Sequence, residues 1–202
     1  MANICLTYYV IEGEKEEVKD LYKKLNRLLE MEKSLLENGF GKGWLGNIVG
    51  LFGGDTKKTP CRGDFSNLDI DANGTLLYLN TETSWVDMPE VFDLVMSKYK
   101  TLSYYFRAEE CGVAYHATND VEGKYFSERY VVETSLSCMR IFENVEEICN
   151  CFEELTSVTV SNIEELGVEA DKFNENDRGD FFCFHEIEVV TDAIYEEIPA
   201  NI

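Results

Sequence analysis

The residues most able to do chemistry in this sequence are a cysteine and a histidine near its C-terminal end. Cys183 and His185 stand two positions apart in residues 181–190, where aromatic and β-branched residues predict a strand. Residues i and i+2 of a strand share a face, so the imidazole could take the thiol proton and activate a nucleophile. The phenylalanines around the pair favour burial instead, and no nearby pattern supplies an oxyanion hole. A ligand pocket is therefore kept as an alternative, with candidate residues Trp85, Arg107, His116, Cys183 and His185.

Three patterns that look like binding motifs lack the context that those motifs need. Residues 41–46 match G-x-G-x-x-G, but a predicted helix precedes them and more glycines follow, so the strand and helix that hold a phosphate are missing. Residues 69–74 begin like a calcium loop, yet the twelfth position is Asn80 rather than a glutamate, and both flanks predict strands. Cys149 and Cys151 would point about 200° apart on a helix, so they cannot share a metal ion. The sequence therefore predicts neither a metal site nor a cofactor.

Charge is the most uneven property of the chain. Of 202 residues, 39 are acidic and 18 are basic, which gives a formal net charge of −21. Residues 143–202 hold 17 of the acids and only Lys172 and Arg178 as bases. A field of this sign repels nucleic-acid phosphates and attracts a basic protein. The candidate partner-binding face comprises Glu164, Glu165, Glu169, Asp171, Glu175, Asp177 and Asp180.

The first 60 residues predict a strand, a long helix and an insertion. Residues 4–11 are a β-rich apolar run. Residues 14–37 repeat apolar side chains at i, i+3 and i+4, with Lys and Glu between them, which predicts an amphipathic helix. Seven of the 14 glycines then fall between Gly39 and Gly54. We therefore expect residues 39–58 to be a flexible, glycine-rich insertion.

The middle of the chain predicts a hairpin, a helix and three strands. Ala72-Asn73-Gly74 joins two apolar runs, residues 65–71 and 75–83, and is a strong hairpin signal. Asp87 and Glu90 predict a capping box at a helix start, with Pro89 in the first turn. The three further strands are predicted over residues 101–108, 113–117 and 125–134.

The C-terminal part predicts two helices and a strand. Asn144 is the expected cap of the first helix, and Ser161 or Asn162 that of the second. The order of elements predicts an α+β protein with an antiparallel sheet and the β-α-β-β-α-β arrangement of a ferredoxin-like unit, extended by extra strands and a C-terminal α/β segment. We expect a domain over residues 1–135 and an acidic segment over residues 136–190, which joins the same sheet or forms a second small domain. Residues 191–202 are expected to be a tail.

Two stretches together carry a resemblance to a known family. The opening, MANICLTYYVIEGEKEEVKDL, is a polar start, one strand and a turn into a helix. The second, LLYLNTETSWVDMPEVFDLVMSKYKTLSYYFRAEECGVAYHAT, has a strand ending in Thr-x-Thr-x-Trp, a Pro-started helix with a late Tyr, and a strand ending in Glu-Glu-x-Gly. Residues 1–135 thereby resemble the YubB/Api92-like family of plasmid and phage proteins with a ferredoxin-like domain. The matching positions are Asn3, Cys5, Trp85, Pro89, Tyr99, Glu109, Glu110 and Gly112. The resemblance implies a ferredoxin-like fold and a mobile-element setting, and no established reaction.

Composition narrows the class of protein further. Hydrophobic residues make up 45% of the chain, which excludes wholesale disorder, and no apolar run approaches the roughly 20 residues of a membrane helix. The N-terminus lacks the pattern of a signal peptide and the seven cysteines lack paired spacing, so we expect reduced thiols in the cytoplasm. The sequence predicts a protein that acts without catalysis by binding a basic host protein, in one version as a nucleic-acid mimic. An enzyme or ligand-binding protein with a pocket near the insertion, and a structural homo-oligomer, are the alternatives.

Overall fold

A computed structural model describes residues 3–37, 39–175 and 179–191 of the chain. These residues form five α-helices and two β-sheets, so the mixed α+β class is confirmed. The chain divides into two compact units, residues 1–119 and residues 120–202. Among the described residues, no helix is both long and apolar enough to span a bilayer.

The N-terminal unit is built on an antiparallel sheet with one face covered by helices. Its elements are β1 (Ile4–Glu12), α1 (Lys15–Glu30), α2 (Leu45–Leu51), β2 (Gly63–Ile70), β3 (Leu76–Ser84), α3 (Pro89–Met96), β4 (Ser103–Glu110) and β5 (Tyr115–Thr118). The strands lie in the order β2-β3-β1-β4-β5, and each neighbouring pair is antiparallel. The predicted hairpin is confirmed, because β2 pairs directly with β3.

The core of this unit lies between the sheet and the helices. The apolar stripe predicted for α1 is buried at Val18, Leu21, Leu25 and Leu28, and α1 contacts β2 and β3. On α3, the ring of Phe92 stacks on Tyr9 of β1 with 4.0 Å between centroids. Because side chains alternate along a strand, the residues next to Tyr9 in β1 point to the opposite face of the sheet.

Two predictions about residues 14–58 are wrong. The helix α1 ends at Glu30 instead of continuing to residue 37, because Met31 adopts an extended conformation with ψ 145°. The glycine-rich insertion is not a loose loop: it contains α2, whose Leu45, Ile48 and Val49 are fully buried. The amide of Asn47 in α2 bonds to residues that follow α1 and to residues that precede α2.

Asn47 joins the segment that follows α1 to the first residues of the insertion. Its side chain is fully buried, and its Oδ1 accepts hydrogen bonds from Ser34 Oγ at 3.0 Å and from Leu36 N at 3.1 Å. Its Nδ2 donates to the carbonyl oxygens of Gly41 and Lys42, each at 3.1 Å. The backbone groups of Leu36, Gly41 and Lys42 thus find their partners on the Asn47 side chain rather than in a longer helix.

The start of α3 also differs from the prediction. The N-cap is Met88, with no side-chain cap, so the predicted capping box of Asp87 and Glu90 is wrong, although Pro89 does occupy the first turn. Asp87 is instead buried and accepts a hydrogen bond from the hydroxyl of Tyr115 in β5. Asp87 is thus bonded to Tyr115, which is distant in the sequence, instead of capping the helix that follows it.

The C-terminal unit packs two helices on a three-stranded antiparallel sheet. Its elements are β6 (Tyr130–Thr134), β7 (Ser137–Phe142), α4 (Val145–Thr156), α5 (Ile163–Asn174), β8 (Phe182–Glu186) and β9 (Glu188–Val189). The sheet order is β7-β6-β8. Val132 of β6 and Phe182 of β8 pack with Ile148, Phe152 and Leu166 of the helices. Strand β7 was not predicted, and β6 begins five residues later than the predicted strand over residues 125–134.

A closed loop over residues 120–129 replaces that early part of β6. The carboxylate of Asp120 is 1% exposed and accepts hydrogen bonds from the backbone N–H groups of Lys124, Tyr125 and Phe126 at 3.0, 2.7 and 2.9 Å. The Arg129 guanidinium donates to the carbonyl oxygens of Asp120 and Phe126. The backbone N–H groups of Lys124, Tyr125 and Phe126 are thus bonded to a side chain rather than to a neighbouring strand.

Candidate partner-binding site

Helix α5 carries the acidic residues that the sequence analysis proposed as a binding face. Its N-cap is Asn162, one of the two predicted caps, and the Asn162 side chain accepts a hydrogen bond from Glu165 N at 2.9 Å. Leu166 and Ala170 are buried against the unit's core. Glu164, Val168, Asp171 and Glu175 follow at three- and four-residue spacing, so they share the opposite side of the helix.

A groove runs along this exposed side of α5. It has a volume of about 660 Å³ and lies between α5 and the segment that joins α4 to α5. Val158 and Val168 expose 39% and 55% of their surfaces, and they give the groove an apolar part beside its carboxylates. The lining residues are Val158, Thr159, Val160, Glu164, Glu165, Val168 and Glu169.

Two of the groove's carboxylates already serve the fold. Glu165 Oε2 accepts hydrogen bonds from Ser161 N at 3.0 Å and Ser161 Oγ at 2.9 Å, so this carboxylate fixes the residue that precedes the N-cap Asn162. The Ser161 backbone N–H, followed by its hydroxyl, lowers the pKa of Glu165. Glu169 forms an ion pair with Lys172 at 2.6 Å.

Three other acids of the predicted face have no such partner within the described ranges. Glu164, Asp171 and Glu175 are exposed, and their carboxylates accept no hydrogen bond from a described residue. Asp180 accepts a hydrogen bond from Ser135 Oγ at 3.0 Å, and Asp177 lies outside the described residues. The structure thus brings Glu164, Glu165 and Glu169 to one groove, with Asp171 and Glu175 farther along the same helix.

The apolar half of the groove was missed by sequence reasoning. Val168 stands between acids in the sequence, and a valine at the centre of an otherwise charged helix side is the signal that could have found it. Val158 and Thr159 had no local signal, because they lie in the irregular connection after α4.

The residues of the alternative pocket are divided between the two units. Arg107 and His116 lie on neighbouring strands, where Arg107 is opposite Thr118 and Glu109 is opposite His116, so both side chains point to the same face. Trp85 follows β3, is 45% exposed and has a φ of +74°, a region that bulky residues rarely adopt. Cys183 and His185 belong to β8 in the C-terminal unit.

The chemistry of Cys183 does not favour a nucleophile. The thiol is exposed, contrary to the expected burial, and Glu133 is its direct partner across β6 and β8. Partial desolvation raises its pKa, and the carboxylates of Glu133 and Asp171 raise it further. A catalytic cysteine needs the opposite, a positive environment that favours the thiolate.

The other motifs also have structural roles. Asp71 accepts hydrogen bonds from the backbone N–H groups of Asn73, Thr75 and Leu76, so its carboxylate closes the β2–β3 hairpin. The glycine pattern at residues 41–46 leads into α2, with Phe65 N bonded to Gly43 O at 2.8 Å. Among the described residues, no group of three or more His, Cys, Asp or Glu side chains could hold a metal ion.

Comparisons with profiles of known protein families, with curated proteins and with solved structures found no match to this chain.

Proposed function

We propose that this protein acts by binding a basic protein partner along the α5 groove. The observation that carries the proposal is the combination of exposed Val158 and Val168 with carboxylates that have no partner within the described residues, Glu164 foremost. Apolar contact supplies affinity and unpaired carboxylates supply attraction and specificity, so the groove fits a segment that carries both Lys or Arg and aliphatic side chains.

Three finer features belong to the same proposal. The strand order β2-β3-β1-β4 and its antiparallel pairing support a ferredoxin-like arrangement of the N-terminal unit. The partner is a host protein in the cytoplasm, in keeping with the family resemblance. In its most specific form, the acidic side of α5 mimics a nucleic acid and occupies a DNA- or RNA-binding surface.

The chain offers a matched pair of variants for the test. Glu164 on α5 and Glu146 on α4 are exposed and are each the second residue after an asparagine N-cap, so reversing either charge disturbs its helix start equally. Only Glu164 lines the groove. At an exposed rim, a reversal costs on the order of 1–2 kcal/mol of binding, or roughly ten-fold in Kd.

The experiment is capture from a nuclease-treated bacterial lysate on the tagged full chain, followed by elution with a salt gradient. A basic protein retained by the wild type and by Glu146→Lys, and lost from Glu164→Lys, is the expected result. Elution at moderate salt and competition by added DNA are expected for the nucleic-acid mimic. A partner that survives molar salt, or that both variants bind equally, contradicts the proposal.

A further inference from the structure

The N-terminal unit has a second surface with the chemistry of a docking site. Tyr8, Tyr78 and Tyr105 lie on the three adjacent strands β1, β3 and β4, on the face opposite to the ring of Tyr9. Tyr8 pairs with Asn80 on one side and with Arg107 on the other, while Tyr78 and Tyr105 flank Val10 in the next row. These five side chains, Tyr8, Tyr78, Asn80, Tyr105 and Arg107, are called the tyrosine face.

The charge around the tyrosine face is mostly negative. Five carboxylates share this side of the sheet, and its described strand residues include one arginine, Arg107, one histidine, His116, and no lysine. Asp64, Asp69 and Glu82 are exposed on the β2 and β3 side. Two more approach the rings: Tyr105 Oη donates to Glu12 Oε1 at 3.0 Å, and Tyr8 Oη donates to Glu109 Oε1 at 3.5 Å.

Arg107 displays the contact that such a face favours. Its guanidinium carbon lies 5.3 Å from the centroid of the Tyr8 ring, within the range of a cation–π interaction. The planar guanidinium can stack on tyrosine rings and bond carboxylates in the same site, which a lysine ammonium does less well. Tyr78 is 38% exposed and lies opposite the exposed Asp69, so this part of the sheet also presents an aromatic ring and a carboxylate side by side to solvent.

We propose that the tyrosine face docks an arginine-bearing segment of a basic protein. The inference goes beyond the α5 groove, because it concerns a different unit and different side chains. Charge complementarity selects the occupant: five carboxylates against one guanidinium attract cations, and the rings then favour arginine over lysine. Nucleic-acid bases also stack on aromatic residues of β-sheets, but the carboxylates here would repel the phosphates of the backbone.

The test uses the full chain and two labelled peptides of equal length and charge, one with arginines and one with lysines in the same positions. Fluorescence polarisation at low salt is expected to show tighter binding of the arginine peptide. Tyr78→Ala should weaken that binding by roughly two- to five-fold, as expected for one exposed cation–π contact, and should affect the lysine peptide less. Tyr78→Phe, which keeps the ring, and Phe40→Ala, which removes an exposed ring of the α1–α2 connection, should bind like the wild type.

Each variant is also made in the Glu164→Lys background, so that loss at the groove and loss at the tyrosine face are measured separately. Circular dichroism checks folding, and Glu82→Gln replaces Tyr78→Ala if that variant does not fold. Equal affinity for the two peptides, or equal effects of Tyr78→Ala and Phe40→Ala, would overturn the inference. Binding of oligothymidylate that depends on Tyr78 would overturn it as well, because the occupant would then be a nucleic acid.

Discussion

Replacement of Asp120 by alanine is the sharpest test of how the C-terminal unit is held together. The change removes the acceptor of three backbone N–H groups in the loop over residues 120–129. The N–H of Phe126 is buried and would lose its Asp120 acceptor, whereas those of Lys124 and Tyr125 are part-buried and can reach water. A buried donor that loses its acceptor, as at Phe126, costs about 1–3 kcal/mol. The bonds from Lys124 and Tyr125 cost somewhat less, because water replaces the carboxylate. We therefore expect the free energy of unfolding to fall by about 3 kcal/mol.

The two-unit organisation makes the assay selective. Both tryptophans, Trp44 and Trp85, belong to the N-terminal unit, so tryptophan fluorescence follows that unit alone, while circular dichroism follows both. With a urea dependence of about 1–3 kcal/mol per molar, the circular-dichroism midpoint of the C-terminal unit should fall by roughly 1–2 M in Asp120→Ala. Glu122→Ala, an exposed acid of the same loop, should leave it unchanged.

The pH dependence provides a second readout. Burial alone would raise the pKa of Asp120, but the three backbone N–H groups and Arg129 outweigh burial and lower it. Because the folded pKa lies below the unfolded one, the stabilisation is complete above the unfolded pKa of about 3.9 and is lost as the pH falls through the folded pKa. The difference between wild type and Asp120→Asn should be constant from about pH 5 to 8 and should shrink below about pH 4. If Asp120→Ala unfolds like Glu122→Ala, the loop is not held by this carboxylate and the reasoning is refuted.

Three further changes test the N-terminal unit and the thiols. Asn47→Leu should cost about 2–4 kcal/mol and open residues 31–37 and 39–44 to proteolysis, as thermal unfolding and limited digestion would show. Asn26→Leu should not, because the half-buried amide of Asn26 bonds to Glu30 one turn along the same helix. Gly63→Ala should lower the free energy of unfolding, measured in urea, by about 1–3 kcal/mol. Gly63 has a φ of +156°, and a Cβ there would clash with the carbonyl oxygen of Glu82. Gly41→Ala is the control, because a Cβ at Gly41 would meet no atom within 4 Å. Burial raises the pKa of Cys5 to about 11, so this thiol should react slowly at pH 8 and Cys5→Ala should leave the fast phase of thiol labelling unchanged. Cys183 is exposed, so Cys183→Ala should remove one equivalent from the fast phase.

What could be predicted from the sequence is what short-range interactions decide. The hairpin around Asn73-Gly74 and the asparagine caps of α4 and α5 follow from contacts within a few residues, and all three are confirmed. The end of α1 and the role of Asp87 depend on Asn47 and Tyr115, which are 11 or more residues away in the sequence. No local pattern contains those partners, so both predictions were wrong.

The candidate site divides in the same way. The acidic side of α5 could be read from spacing, because helix periodicity places Glu164, Asp171 and Glu175 together. The groove beside it needs Val158 and Thr159 from the preceding connection, whose path is set by packing. The tyrosine face depends on strand register, since Tyr78 and Tyr105 are brought beside Val10 only by the pairing of β3 and β4 with β1.

The distribution of compensated and uncompensated acids is the strongest argument that α5 meets a partner. Residues 120–202 carry 21 acidic and five basic residues, and like charges at this density repel one another and oppose compact packing. Some of that cost is offset within the unit, because Glu165 accepts two hydrogen bonds from Ser161 and Glu169 pairs with Lys172. Glu164 adds charge to the groove without such an offset among the described residues, and the side chain of Val168 beside it is 55% exposed. A basic segment bound in the groove would neutralise the carboxylate of Glu164 and cover the side chain of Val168, so one occupant accounts for both features.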